Sequence, residues 1–165
     1  MSRSKREAPA ARARAAGEMP MKGYGLLLLG LLAGAVLTGC GVGEDKGEAE
    51  YFAGSFFETV KVKDFDTVLT FYSPKFFEKT PREEWLQALR SMNAKLGDVQ
   101  EYRLVGWNFR KYYGTTGSGT YFQLQYRVSY AKYPADETLM IFKPLVGGEL
   151  QILGHNINSE GFLKS

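Results

Sequence analysis

The hydrophobic spacing of the chain changes once, at Gly97, from a helical period to a strand period. Before it, Phe52, Phe56 and Val60 recur every four residues with Ala53 and Phe57 alongside, which predicts a helix from about Glu48. Asp64 is placed to cap a second helical piece. Phe65, Val68, Leu69 and Tyr72 share its apolar face, and Ser73-Pro74 ends it. Thr80-Pro81-Arg82-Glu83 has the spacing of a capping box, with Thr80 at the N-cap and Glu83 at N3. Trp85, Leu89, Met92 and Leu96 then line one face of a third helix, and Gly97 is its stop.

Beyond Gly97 the pattern is extended. Val99 to Tyr113 reads as one long strand with a bulge at Gly106, turned by the Gly-rich loop Gly114 to Gly119. Phe122, Leu124, Tyr126, Val128 and Tyr130 alternate with Gln123, Gln125, Arg127 and Ser129, the period of a strand with one dry face. Tyr133 to Asp136 makes a turn into Thr138–Phe142, and Gly147-Gly148 makes another into Leu150–Ile157. Helices first and four strands afterwards predict an α+β fold, with the N-terminal helices packed on one face of a curved antiparallel sheet.

The basic pI belongs to the N-terminus alone. Six of the 21 basic residues and two of the 18 acidic ones precede Cys40, so the remaining 126 residues carry a net charge of −1. That balance gives no reason to expect nucleic-acid binding. Cys40 is the one cysteine, which excludes an intrachain disulfide and a cysteine zinc site. A single histidine and no calcium-loop spacing leave no metal or cofactor to expect.

Basic residues ending at Lys22 are followed by an apolar, Gly-containing run from Gly23 to Val36, shorter than the roughly 20 residues that span a bilayer. It ends in Leu37-Thr38-Gly39-Cys40, which resembles the lipobox of bacterial lipoproteins. The resemblance implies a signal peptide over residues 1–39, a diacylglycerol on the Cys40 thiol, cleavage before Cys40 and anchoring to a membrane. Gly41, where an Asp would resemble an inner-membrane retention signal, implies an outer-membrane, periplasm-facing destination in a Gram-negative source. Met1, Met19 and Met21 are alternative starts, since Met21-Lys22 begins a complete signal by itself. Residues 40–47 read as a flexible tether and residues 48–165 as the folded domain.

The order of elements over Glu48 to Leu163 resembles the cystatin-like, nuclear-transport-factor-two-like cone fold. It is also similar to a family of small exported bacterial proteins on that fold, for which no activity is assigned. Cones of this kind often enclose a pocket between sheet and helices, and their isomerase-like and dehydratase-like relatives place an acid, a histidine or a tyrosine in it. The residues that would line such a pocket here are Tyr102, Trp107, Tyr126, Tyr130 and His155, with His155 on the strand face of Leu153 and Ile157. Glu101, Asp136, Glu137 and Glu149 fall at strand ends, so no carboxylate is expected mid-strand on the apolar face. The sequence offers no residue set that would be expected to be catalytic.

Three functions follow as expectations. The first is a lipid-anchored envelope module that binds a small apolar ligand or another envelope protein without catalysis. The second is a small isomerase-like or hydrolase-like enzyme using His155 and a tyrosine. The third is a structural accessory that forms a homodimer through an open sheet face carrying Gln123, Gln125 and Arg127.

Overall fold

The computed structural model describes residues 40–114 and 117–164, with side chains from residue 43 onward. The expected signal peptide, the choice among Met1, Met19 and Met21, and the side chain of Cys40 lie outside the described residues.

Four α-helices precede the sheet: α1 (Cys40–Lys61), α2 (Phe65–Val68), α3 (Pro74–Phe77) and α4 (Arg82–Leu96). Helix α1 starts eight residues earlier than the apolar spacing predicts and takes in the stretch expected to be a tether. The correction has a physical cause. Asp45 binds Lys143 at 2.8 Å and Lys111 at 3.7 Å, Glu48 also pairs with Lys143, and the Lys46 ammonium lies 5.1 Å above the Trp107 ring. Those contacts to distant strands hold glycine-rich backbone in a helix that its local propensity would not sustain.

Asp64 caps α2 as its spacing predicts, accepting from the Thr67 amide and hydroxyl at 3.1 and 2.7 Å. After a 3-10 turn (Leu69–Phe71) the chain becomes extended at Tyr72, and Ser73 then caps α3 by accepting from the Phe76 amide at 3.1 Å. Ser73-Pro74 therefore ends one helical piece and opens another. The capping box before α4 does not form. Pro81 itself is the N-cap, because its carbonyl accepts from the Trp85 amide at 3.0 Å and no side chain caps the end. Glu83 and Glu84 remain in the first turn, where their charge suits the helix dipole.

Strands β1 (Val99–Tyr112), β2 (Gly119–Tyr130), β3 (Ala135–Pro144) and β4 (Gln151–Asn158) form an antiparallel meander in the order β1-β2-β3-β4. The fold is thus α+β, helices followed by a four-stranded antiparallel sheet. The register of β1 on β2 slips between Leu104 and Gly106, at the expected bulge, and again between Val99 and Glu101. A third slip, between Met140 and Ile141 of β3, makes Leu153 an extra residue on β4.

One face of the sheet is dry. Phe122, Leu124, Tyr126 and Val128 of β2, Leu139 and Ile141 of β3 and Ile152 of β4 meet Ala53, Phe56, Phe57 and Val60 of α1 and Leu89 of α4. Burying each large apolar side chain here contributes roughly 1.5–3 kcal/mol. Phe76 and Phe77 are half-buried and pack against this core rather than standing free.

Candidate functional site: a buried tyrosine, histidine and glutamate relay

The third bulge decides where His155 points. Strict alternation would put His155 on the face of Leu153, opposite Ile152. With Leu153 extra, Ile152, His155 and Ile157 all reach the inner side, and Ile152 is fully buried while the His155 side chain is 1 % exposed. The expected pairing of His155 with Leu153 is corrected accordingly.

Glu137 is the larger correction. Strand β3 begins at Ala135 rather than Thr138, and its inward row is Ala135, Glu137, Leu139 and Ile141. Glu137 is therefore inside the strand on the apolar face, 2 % exposed, where no carboxylate was expected. It lies beside His155 across the β3–β4 pair, and its Oε2 is 2.9 Å from His155 Nε2. Its other oxygen accepts from the Tyr130 hydroxyl.

The fourth member comes from the helical half. As the chain leaves the 3-10 turn, Tyr72 makes a parallel bridge to Ile152, and the Ser73 amide donates to the Ile152 carbonyl at 2.9 Å. This lays Tyr72 along the free edge of β4, with its hydroxyl 2.8 Å from His155 Nδ1. The donors and acceptors then close without a remainder. This holds for the tautomer protonated at Nε2: Tyr72 donates to Nδ1, the Nε2–H donates to Glu137, and Tyr130 donates to the second carboxylate oxygen. A buried polar chain satisfied in this way is stable in its site, whereas any one member left alone is not.

The surroundings are aromatic. Phe56, Tyr72 and Trp85 lie 5.5, 6.2 and 5.9 Å from the His155 ring, centre to centre. Burial pushes the Tyr72 hydroxyl well above its ordinary value, and the charge of Glu137 adds to the shift. Burial raises Tyr130 as well, here with the charge of Glu137 next in size. Both phenols are thereby held in their protonated, donating form.

Of the five residues picked out from the sequence, the structure brings two together, Tyr130 and His155. They share a nearly filled interior space of about 10 Å³ with Phe56, Leu89, Met92 and Glu137, room for one water at most. Tyr126 and Tyr102 belong to another cluster, around Phe57, with ring centres at 4.9 and 4.8 Å. The Tyr102 hydroxyl donates to Glu58 at 3.0 Å. Burial raises Tyr102 and, more strongly, Tyr126. Trp107 is half-exposed at the far end of β1, stacked on Phe109 and covered by Lys46. Tyr72 and Glu137 were missed. Extending the β3 alternation two residues upstream, from Leu139 to Glu137, would have found the second, whereas no local signal places Tyr72 against β4.

The relay has the parts of a proton-transfer site, an acid, an imidazole and phenols in series, but no open mouth at His155. Tyr130 is the more exposed of the two phenols, being only partly buried. Tyr72 is 4 % exposed and borders a shallow depression with Leu69, Pro74, Phe77 and Arg82. Among the described residues no three His, Cys, Asp or Glu side chains come together to hold a metal.

The outer face of the sheet is different in kind. Asn108, Arg110 and Tyr112 of β1, Tyr121 and Gln123 of β2 and Met140 of β3 line a concavity of about 310 Å³. Asn108 donates to Gln123 at 3.1 Å, Tyr121 stands against Phe142 with ring centres at 4.8 Å, and Arg127 pairs with Asp136 at 2.7 Å. No family model matches the chain, nor does any curated protein or solved structure.

Proposed function

We propose that the mature chain begins at Cys40, is anchored to a membrane by a lipid on that thiol, and presents a cone-like domain of the cystatin-like, nuclear-transport-factor-two-like kind as a non-catalytic module that binds another envelope protein. In a Gram-negative source it would face the periplasm from the outer membrane. The observation that supports a protein partner is the contrast between the two sheet faces. The inner face leaves about 10 Å³ beside His155, too little for an apolar ligand, while the outer face carries a concavity of about 310 Å³ with aromatic, amide and guanidinium groups around it. Tyrosine and arginine around a shallow depression are the groups that anchor protein interfaces.

A photo-crosslinking residue in place of Met140, on the outer face, is expected to trap a second protein in producing cells, and one in place of Val62 to trap none. An adduct of two copies of this chain alone would replace the reading with a homodimer.

A catalytic reading is favoured by one observation, the relay that ends at Tyr72 on a surface depression. Because His155 is the single histidine, its carbethoxylation separates the two. The non-catalytic reading expects modification in the folded protein to be far slower than after unfolding. Equal rates would mean that the interior opens, and would give the enzyme its site.

A further inference from the structure

One pole of the domain gathers exposed apolar side chains. Strand β1 runs out into Tyr112 and Tyr113, and β3 into Leu145 and Val146; the four are 45, 68, 53 and 89 % exposed. The two loops are neighbours, since the Leu145 amide donates to the Ser118 carbonyl at 2.9 Å. Four large apolar groups on adjoining loop tips are costly to leave in water, and scattered single exposures elsewhere on the surface do not add up in the same way.

The same pole holds the start of α1. Lys143, just before Leu145, binds Asp45 at 2.8 Å, and Lys111, just before Tyr112, reaches the same carboxylate at 3.7 Å. Helix α1 begins at Cys40, five residues and so about 7.5 Å of helical rise beyond Asp45. Val146 lies three residues beyond Lys143, at most about 10 Å in extended chain. Cys40 and the tip at Val146 thus both lie within about 10 Å of chain reach of the contact between Asp45 and Lys143. No slack separates them, because the stretch between Cys40 and the domain is helix.

We infer that this pole rests on the lipid surface, with Tyr112, Tyr113, Leu145 and Val146 in the interfacial layer beside the Cys40 anchor. The inference rests on the lipid-anchored reading of Cys40. Tyrosine suits that layer because its ring is apolar and its hydroxyl wet, and aliphatic tips add buried area below it. Charge does not drive the contact. Lys111 and Lys143 are matched by Asp45 and Glu48, which leaves Arg110 beside Tyr112 without an ion pair among the described residues, so the docking is chiefly apolar and survives high salt.

The test uses the mature protein recovered from membranes, in two exposed-site variants, Val146→Trp and Val62→Trp. Val62 is 74 % exposed and follows the opposite end of α1, so it serves as the control. Each is reconstituted with phosphatidylcholine vesicles whose acyl chains are brominated or plain, and the emission added by the new tryptophan is compared. Bromination is expected to lower that of Val146→Trp about twofold or more, at low and high salt alike, and to leave that of Val62→Trp unchanged. An unquenched Val146→Trp, or quenching that high salt abolishes, overturns the inference. The mass of the N-terminal peptide, read separately, reports the diacylglycerol on Cys40. A lipidated peptide with an unquenched tryptophan sinks the docking and keeps the anchor, and an unlipidated peptide with a quenched one does the reverse.

Discussion

At Glu137 a single carboxylate is buried to 2 % exposure in an apolar sheet face and tolerated because both of its oxygens accept hydrogen bonds, from His155 and Tyr130. Its contribution is therefore conditional on its partners. Replacing Glu137 with Gln keeps the volume but offers one acceptor where two donors converge, so one N–H or O–H is left unpaired. The expected loss is about 1–3 kcal/mol in urea unfolding. No loss would mean that the relay is not formed in solution. Local pattern could not locate this residue, because a glutamate beside a turn reads as a strand end until the strand itself is known to start at Ala135.

Single elements show where local rules suffice and where they yield. Gly97 ends α4 with φ 88° and ψ −172°, a backbone conformation open to glycine and little else. An added Cβ would come within 2.9 Å of the Ala131 Cβ and 3.1 Å of the Lys132 nitrogen, on a turn held to the helix end by the Lys132 amide bond to Leu96 at 2.8 Å. Gly97→Ala is expected to destabilise by about 1–3 kcal/mol, read as a lower urea midpoint at unchanged slope. Helix α1 is the opposite case. Its first turns are held from outside, by Lys143 and Lys111 on Asp45 and Glu48. Hydrogen bonding to Lys143 holds the Asp45 carboxyl below its ordinary value, and the same bond raises Lys143. Such partly exposed pairs are worth about 0.2–1 kcal/mol each. Lys143→Ala is therefore expected to lower hydrogen-exchange protection over Asp45–Ala49 a few-fold and to leave Phe56–Lys61 unchanged. Equal protection in Lys143→Ala and the unsubstituted protein would assign the helix start to some other cause.

For the molecule as a whole, one core binds helices to sheet, and three of its phenols couple that core to pH. Tyr72, Tyr126 and Tyr130 all have folded-state pKa values above the ordinary 10.0, chiefly through burial. The sign follows directly. Below pH 10 both folded and unfolded chains keep these protons and the stabilisation is complete. Above it the unfolded chain releases them first, and stability falls by about 1.4 kcal/mol per pH unit for each phenol. Urea midpoints are expected to hold steady toward pH 10 and to drop steeply above it, together with a rise in tyrosinate absorbance. Tyr72→Phe and Tyr130→Phe should each make that alkaline slope shallower. A midpoint flat through pH 11 would mean that these phenols are not shielded.

The α+β class, the order of elements, the alternation of β2 and the stop at Gly97 were all legible in the sequence, because each depends on residues within a few positions of one another. The relay and the length of α1 were not. His155 and Ile152 share a face only because Leu153 is extra on β4 opposite Met140 and Ile141, and a bulge of that kind is set by pairing between strands. Tyr72 reaches His155 across 83 positions of chain, along an edge that exists once β4 is in place. Asp45 meets Lys143 across 98 positions, and that meeting makes a helix of glycine-rich backbone. Period and capping are local and survive in the sequence, whereas strand register and long-range ion pairs come into being only when the sheet closes on the helices.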